Sequence, residues 1–121
     1  MTLKQIETLK EFAELFNRAK QLYSLQSEPL TIMPYKYGKE IGSFIEFCSH
    51  NNLVLINYHE IESEFTKNYQ DPSWYTQLTE NQLLQCLSYC IRRDRFVDGF
   101  LAARIEDESV NKVIDALAKN R

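Results

Sequence analysis

The sequence predicts an all-α protein, a compact single-domain bundle of five to six helices, and three observations carry that expectation. Only three glycines and three prolines occur in 121 residues, too few for the frequent turns of a sandwich or barrel. Apolar residues recur at helical spacing along most of the chain. Two pairs, Thr2 with Gln5 and Thr79 with Gln82, have the spacing of a capping box, in which each side chain satisfies an orphan backbone N–H of the other.

Behind the Thr2 cap, Leu3, Ile6, Leu9, Ala13, Phe16 and Tyr23 fall close to one stripe, with lysines and glutamates on the other side. This predicts a long amphipathic helix over about residues 3–25, filling the segment 1–26. Pro29 and Pro34 break helix, so "SEPLTIMPYKYG" reads as an extended linker carrying Tyr35 and Tyr37. A second helix follows with Ile41, Phe44, Ile45 and Cys48 inward, ending at Asn51–Asn52, which tolerate a left-handed turn. "LVLINY" resembles a strand but lacks a partner, which makes it a buried connector. Asn57 is placed to cap a third helix bearing Ile61, Phe65 and Tyr69. Asp71-Pro72 starts a short turn holding Trp74 and Tyr75. The Thr79 cap opens a helix with a broad apolar face that includes Cys86, Leu87 and Cys90. Two short helices, over about 96–106 and 109–118, complete the chain.

Size and charge narrow the classes. The length fits one domain over 1–121, and such a domain buries roughly two-thirds of its unfolded surface. Apolar residues at 44% and charged residues at 26% are ordinary globular usage. A net charge of −3 gives no general attraction to nucleic acid or anionic membranes. "MTLKQIETLKEF" lacks the pattern of a signal peptide, and no run approaches the ~18 apolar residues of a membrane span. Cys48, Cys86 and Cys90, an odd count without framework spacing, suggest free thiols in a reducing compartment. A cytoplasmic protein with no membrane partner is expected.

The stretch "CIRRDRFVDGFLAARIED", Cys90–Asp107, concentrates charge. Arg92, Arg93, Arg95 and Arg104 face Asp94, Asp98, Glu106 and Asp107 in sequence, so the local sum is zero. A helix running from Thr79 to about Arg93 puts Arg92 and Arg93 in its last turn, where they complement the helix dipole by ~0.3–1 kcal/mol. Gly99 supplies a tight corner, Phe96 plugs the joint between helices, and the carboxylates pair with Arg92, Arg95 or Arg104. A phosphate-binding patch would not neutralise itself. The stretch is therefore expected to be chiefly a helix–helix junction, with one arginine left over for a ligand.

The segment "LSYCIRRDRFVDGFLAARIEDE" resembles the signature of a family of small bacterial and mobile-element proteins known as domain of unknown function six-five-zero-eight. The matching positions are Leu87, Tyr89, Arg92, Asp94, Arg95, Phe96, Gly99, Glu106 and Asp107. Upstream, "MPYKYGKEIGSFIEF" is similar at Pro34, Tyr35, Tyr37 and Phe44. The resemblance spans roughly residues 33–117 and leaves the first helix outside. Glu108 stands where the family usually has a turn glycine, which argues against a tight glycine turn there. The resemblance implies a shared fold and brings no known reaction or ligand.

Other residue groups favour structure over chemistry. Cys86 and Cys90, four apart, share one side of a helix and with Cys48, His50 or His59 would be zinc ligands, but the second close pair of a structural zinc site is missing. They coincide with the apolar stripe, so neither a metal nor a cofactor is expected. Glu60, Glu62 and Glu64 are two apart and diverge on a helix, which reads as a solvated face. No phosphate-cradling loop, H-E-x-x-H or G-x-S-x-G is present, so no catalytic residues are assigned and an enzyme is not expected. Seven Tyr, seven Phe and one Trp are many for a small helical core. Tyr35, Tyr37 and Trp74 suit either interface anchors or rings closing the ends of the bundle.

The reading expected from all this is a non-catalytic protein–protein interaction module with an unidentified protein partner. It fits an inhibitor or regulator of a host complex carried by a phage or other mobile element. Arg92, Arg93, Arg95, Arg104, Tyr35, Tyr37 and Trp74 are its candidate binding residues. Tyr89, Asp94, Phe96, Gly99, Glu106 and Asp107 form the structural motif around them. The alternative is a helical nucleic-acid-binding domain using the Arg92–Arg95 cluster.

Overall fold

Helices begin where the chain offers oxygen atoms to the first unpaired N–H groups, and the computed structural model, which describes residues 1–19, 21–25 and 35–120, shows this at three starts. Helix α1 (Leu3–Arg18) opens on a complete capping box: Gln5 N donates to Thr2 Oγ1 at 3.1 Å, and Thr2 N donates to Gln5 Oε1 at 2.9 Å. Thr79 and Gln82 repeat it at the start of α5 (Glu80–Arg93). Asp71 accepts from Ser73 N at 3.0 Å and opens α4 (Pro72–Tyr75), with proline in the first turn.

The remaining helices are α2 (Lys39–His50), α3 (Glu62–Asn68), α6 (Phe100–Glu106) and α7 (Ser109–Lys119). The fold is all-α as expected, with seven helices among the described residues, slightly more than five to six. Asn52, at φ 58°, ends α2 in the left-handed conformation its residue type tolerates. Asn57 does not cap as expected. Its side chain donates to Glu60 Oε2 at 3.1 Å, and a 3₁₀ turn over Tyr58–Ile61 precedes α3.

Helix α1 is shorter than its apolar stripe suggests. It stops at Arg18 and Ala19 is extended. Tyr23–Leu25 instead forms β1, antiparallel to β2 (Tyr35–Tyr37), with Tyr23 opposite Tyr37 and Leu25 opposite Tyr35. The proposed linker around Pro29 and Pro34 lies outside the described residues. Tyr35 and Tyr37 stand in the strand that follows it.

Helix α5 is the centre of the molecule. Every residue from Leu83 to Ile91 is buried, as in a helix enclosed on all sides. Its buried polar groups are satisfied: Ser88 Oγ donates to Leu84 O at 2.6 Å and accepts from Leu55 N at 2.8 Å, and Gln85 donates to Glu60 Oε2 at 2.9 Å. Those bonds pin the 53–57 connector, "LVLINY" without its last residue, against α5 without any strand. Leu53 is buried, whereas Ile56 at its far end is 93% exposed. The α1 stripe packs against α7, whose Val110, Val113 and Ile114 are fully buried. Phe16 and Phe44 meet edge-on at 5.2 Å between α1 and α2.

Candidate interaction site at the arginine corner

The corner between α5 and α6 is built by backbone bonds and by one glycine. After Arg93 the chain turns tightly, with Phe96 N and Val97 N both donating to Arg93 O at 3.0 Å. Gly99 takes φ 80°, and a Cβ there would fall 2.5 Å from the Tyr35 ring. The expected corner and the close approach are both real, and the neighbour is the β arm.

Three of the four carboxylates of the stretch serve that arm and not the arginines beside them. Asp94 accepts from the Tyr37 hydroxyl and from Leu101 N at 3.0 Å. Asp98 accepts from Tyr35 N at 2.9 Å, and Glu106 accepts from the Tyr23 hydroxyl. Among the described residues only Asp107 of these meets an arginine, with Arg104 Nε at 2.8 Å, and its other oxygen accepts from Ser109 N at the start of α7. The charge cancellation expected from the sequence is therefore corrected: three of the four carboxylates hold tyrosines and backbone because those donors reach them first. Burial, and then Asp94, push the Tyr37 phenol well above its ordinary range. The bond to Glu106 raises Tyr23 to about 12.

The four arginines divide between two grooves on either side of the corner. Arg93 and Arg104 line one with Tyr69, Tyr89 and Phe100, and Glu62 sits in the same groove. There Arg104 lies over the Tyr69 ring at 4.5 Å and the Phe100 ring at 5.0 Å. Arg92 and Arg95 line the other groove with Leu55, Ile56, Tyr58 and Phe96. Among the described residues, no carboxylate lies at ion-pair distance from Arg92, Arg93 or Arg95. Phe96 does not plug the joint. It is 76% exposed, while Tyr35 packs against Gly99 and Leu101 is fully buried.

A family model described as a family of unknown function, DUF6508, matches residues 1–121. The chain belongs to that family. The match includes α1, which the resemblance read from the motif left out. Glu108, the departure from the family's turn glycine, adopts φ 69° itself, so the turn into α7 keeps a left-handed residue without glycine. No curated protein and no solved structure matches the chain.

In this DUF6508 member the other candidates sit in packing joints. The Tyr35 ring lies tilted against Tyr23 at 5.0 Å, and Trp74 meets Tyr75 edge-on at 5.1 Å. Tyr89 is buried, its ring 5.6 Å from Phe100, with its hydroxyl donating to Glu62 at 3.3 Å. Cys48, Cys86 and Cys90 are buried, and burial pushes the first two up to about 12 and raises Cys90 as well. His50 and His59 are exposed, and among the described residues no group of three metal-ligating side chains converges. None of the described helices is long and apolar enough to cross a membrane. Ile56 and Val97, 40% exposed, are surface features that sequence reasoning missed. A single apolar residue in a connector carries no signal of which way it faces.

Proposed function

We propose that this chain is a non-catalytic protein-interaction module that meets its partner at the arginine corner. The observation that carries the reading is Phe96, a phenylalanine 76% exposed on a turn, beside Arg92 and Arg95 with no carboxylate partner among the described residues. Exposing a large apolar ring to water is unfavourable, and aromatic and arginine side chains are the enriched anchors of interfaces. The corner is held by Gly99, Asp94 and the β arm, so little conformational freedom is lost on binding. A small module of this kind acts by occupying a surface, which fits a regulator or inhibitor of a host complex carried by a mobile element. The unpaired thiols Cys48, Cys86 and Cys90 fit the reducing cytoplasm.

A second reading has one observation in its favour. Because Arg92, Arg93 and Arg95 are not neutralised by their neighbours, the charge argument against a nucleic-acid site is weaker than the sequence made it. Capture from bacterial lysate with and without nuclease, followed by mass spectrometry, separates the two. A stoichiometric protein that survives nuclease supports the interaction module. Recovery that vanishes with nuclease, and falls steeply with salt, makes the corner a nucleic-acid site.

A further inference from the structure

We infer that the groove between the 53–57 connector and the α5–α6 corner binds a short acidic segment carrying one large apolar side chain. The inference rests on the interaction reading above and names its partner's chemistry.

Three features select this groove over its neighbour. Arg92 and Arg95, three apart on one side of the chain, both line it, and a guanidinium fork matches a carboxylate in two parallel bonds. In the other groove Arg104 is already paired with Asp107 and stacked on two rings, and Glu62 supplies the opposite charge. The acidic residue nearest the chosen groove in sequence, Asp94, accepts bonds from the Tyr37 hydroxyl and Leu101 N, and Glu60 accepts bonds from Gln85 and Asn57.

The apolar part of the lining sets the rest of the ligand. Ile56 and Phe96, 93% and 76% exposed, stand on the two sides of a space of about 220 Å³. That space accepts a large side chain and is too small for a folded element. A nucleic-acid strand fits less well, because it needs a track of several cations and flat rings for its bases. Here Tyr58 and Phe96 supply rings, but two arginines do not make a track of several cations.

The test is selection of random twelve-residue peptides displayed on phage against the full chain, followed by affinity measurement of the winners. Enriched peptides are expected to flank one Leu, Phe or Trp with Asp and Glu. Their affinity should fall at least tenfold for Phe96→Ala and for Arg92→Glu/Arg95→Glu, and stay unchanged for Lys10→Glu on α1. All three changes fall on solvent-facing or half-exposed positions, and a melting curve for each variant confirms that it folds. No enrichment, winners without acidic residues, or affinities unmoved by these changes would overturn the proposal. A lysate protein that binds wild type and Phe96→Ala equally would leave the interaction reading standing and remove this groove from it. Capture that is lost with nuclease would end both.

Discussion

Glu108 and Gly99 share a left-handed backbone, and they should respond oppositely to substitution. Glu108 holds φ 69° so that its N–H reaches Ile105 O at 3.1 Å and its carbonyl accepts from Lys112 N at 2.9 Å, which closes α6 and opens α7. An L side chain in that conformation costs about 1 kcal/mol. The two helices it joins bury enough apolar surface to outweigh this, which is why the missing glycine, a sound local objection to the turn, did not decide the structure. Glu108→Gly is expected to raise the melting temperature by about 4 °C, partly offset by the freer unfolded chain. A lower melting temperature would show that the Glu108 side chain makes a contact worth more than the strain. Gly99→Ala places a methyl 2.5 Å from the Tyr35 ring at φ 80°. It should cost about 2 kcal/mol or more, read in a denaturant titration, and an unchanged midpoint would mean that the Tyr35 ring yields to the methyl without loss.

The β arm is an element whose position depends on side chains far along the chain. Tyr23 reaches Glu106 across 83 residues, Tyr35 reaches Asp98 across 63, and Tyr37 reaches Asp94 across 57. Sequence reading recovered what was local. Both capping boxes and the Asp71-Pro72 start are set by residues within three positions of each other, and the central stripe of α5 follows from its own spacing. It missed the end of α1, because what competes there is pairing with a strand after the 26–34 segment. It also misassigned the carboxylates, because proximity in sequence favoured arginines while the fold brought tyrosines and a backbone N–H. The arm's attachment through Asp98 gives a prediction at this scale. In Asp98→Ala, amide exchange at Tyr35 and its strand partners should quicken at least tenfold, while the Leu83–Ile91 amides keep their protection. Equal acceleration in both places would mean that arm and bundle open as one unit.

At the scale of the whole molecule, buried and half-buried thiols and phenols push stability in one direction as pH rises. Cys48 and Cys86 are lifted by burial from an ordinary 9.0 to about 12, Cys90 is raised too, and Tyr37 and Tyr75 rise chiefly through burial from an ordinary 10.0. Each group stays protonated in the fold at pH values where the unfolded chain releases the proton. Stability is therefore fully present below the unfolded values and declines as pH climbs from them towards the folded ones. Every thiol held this way removes about 1.4 kcal/mol per pH unit above roughly 9, against a total stability of about 5–15 kcal/mol for a domain. The melting temperature, followed in reducing buffer from pH 7 to 11, should hold steady to about pH 8.5 and then drop progressively more steeply, with the phenols adding to the fall above 10. Cys48→Ala lowers the plateau by a cavity-sized amount but must flatten the decline, since one ionisable group has been taken out of the core. A decline of the same slope in that variant would show that Cys48 ionises as readily in the folded chain as in the unfolded one, contradicting its complete burial.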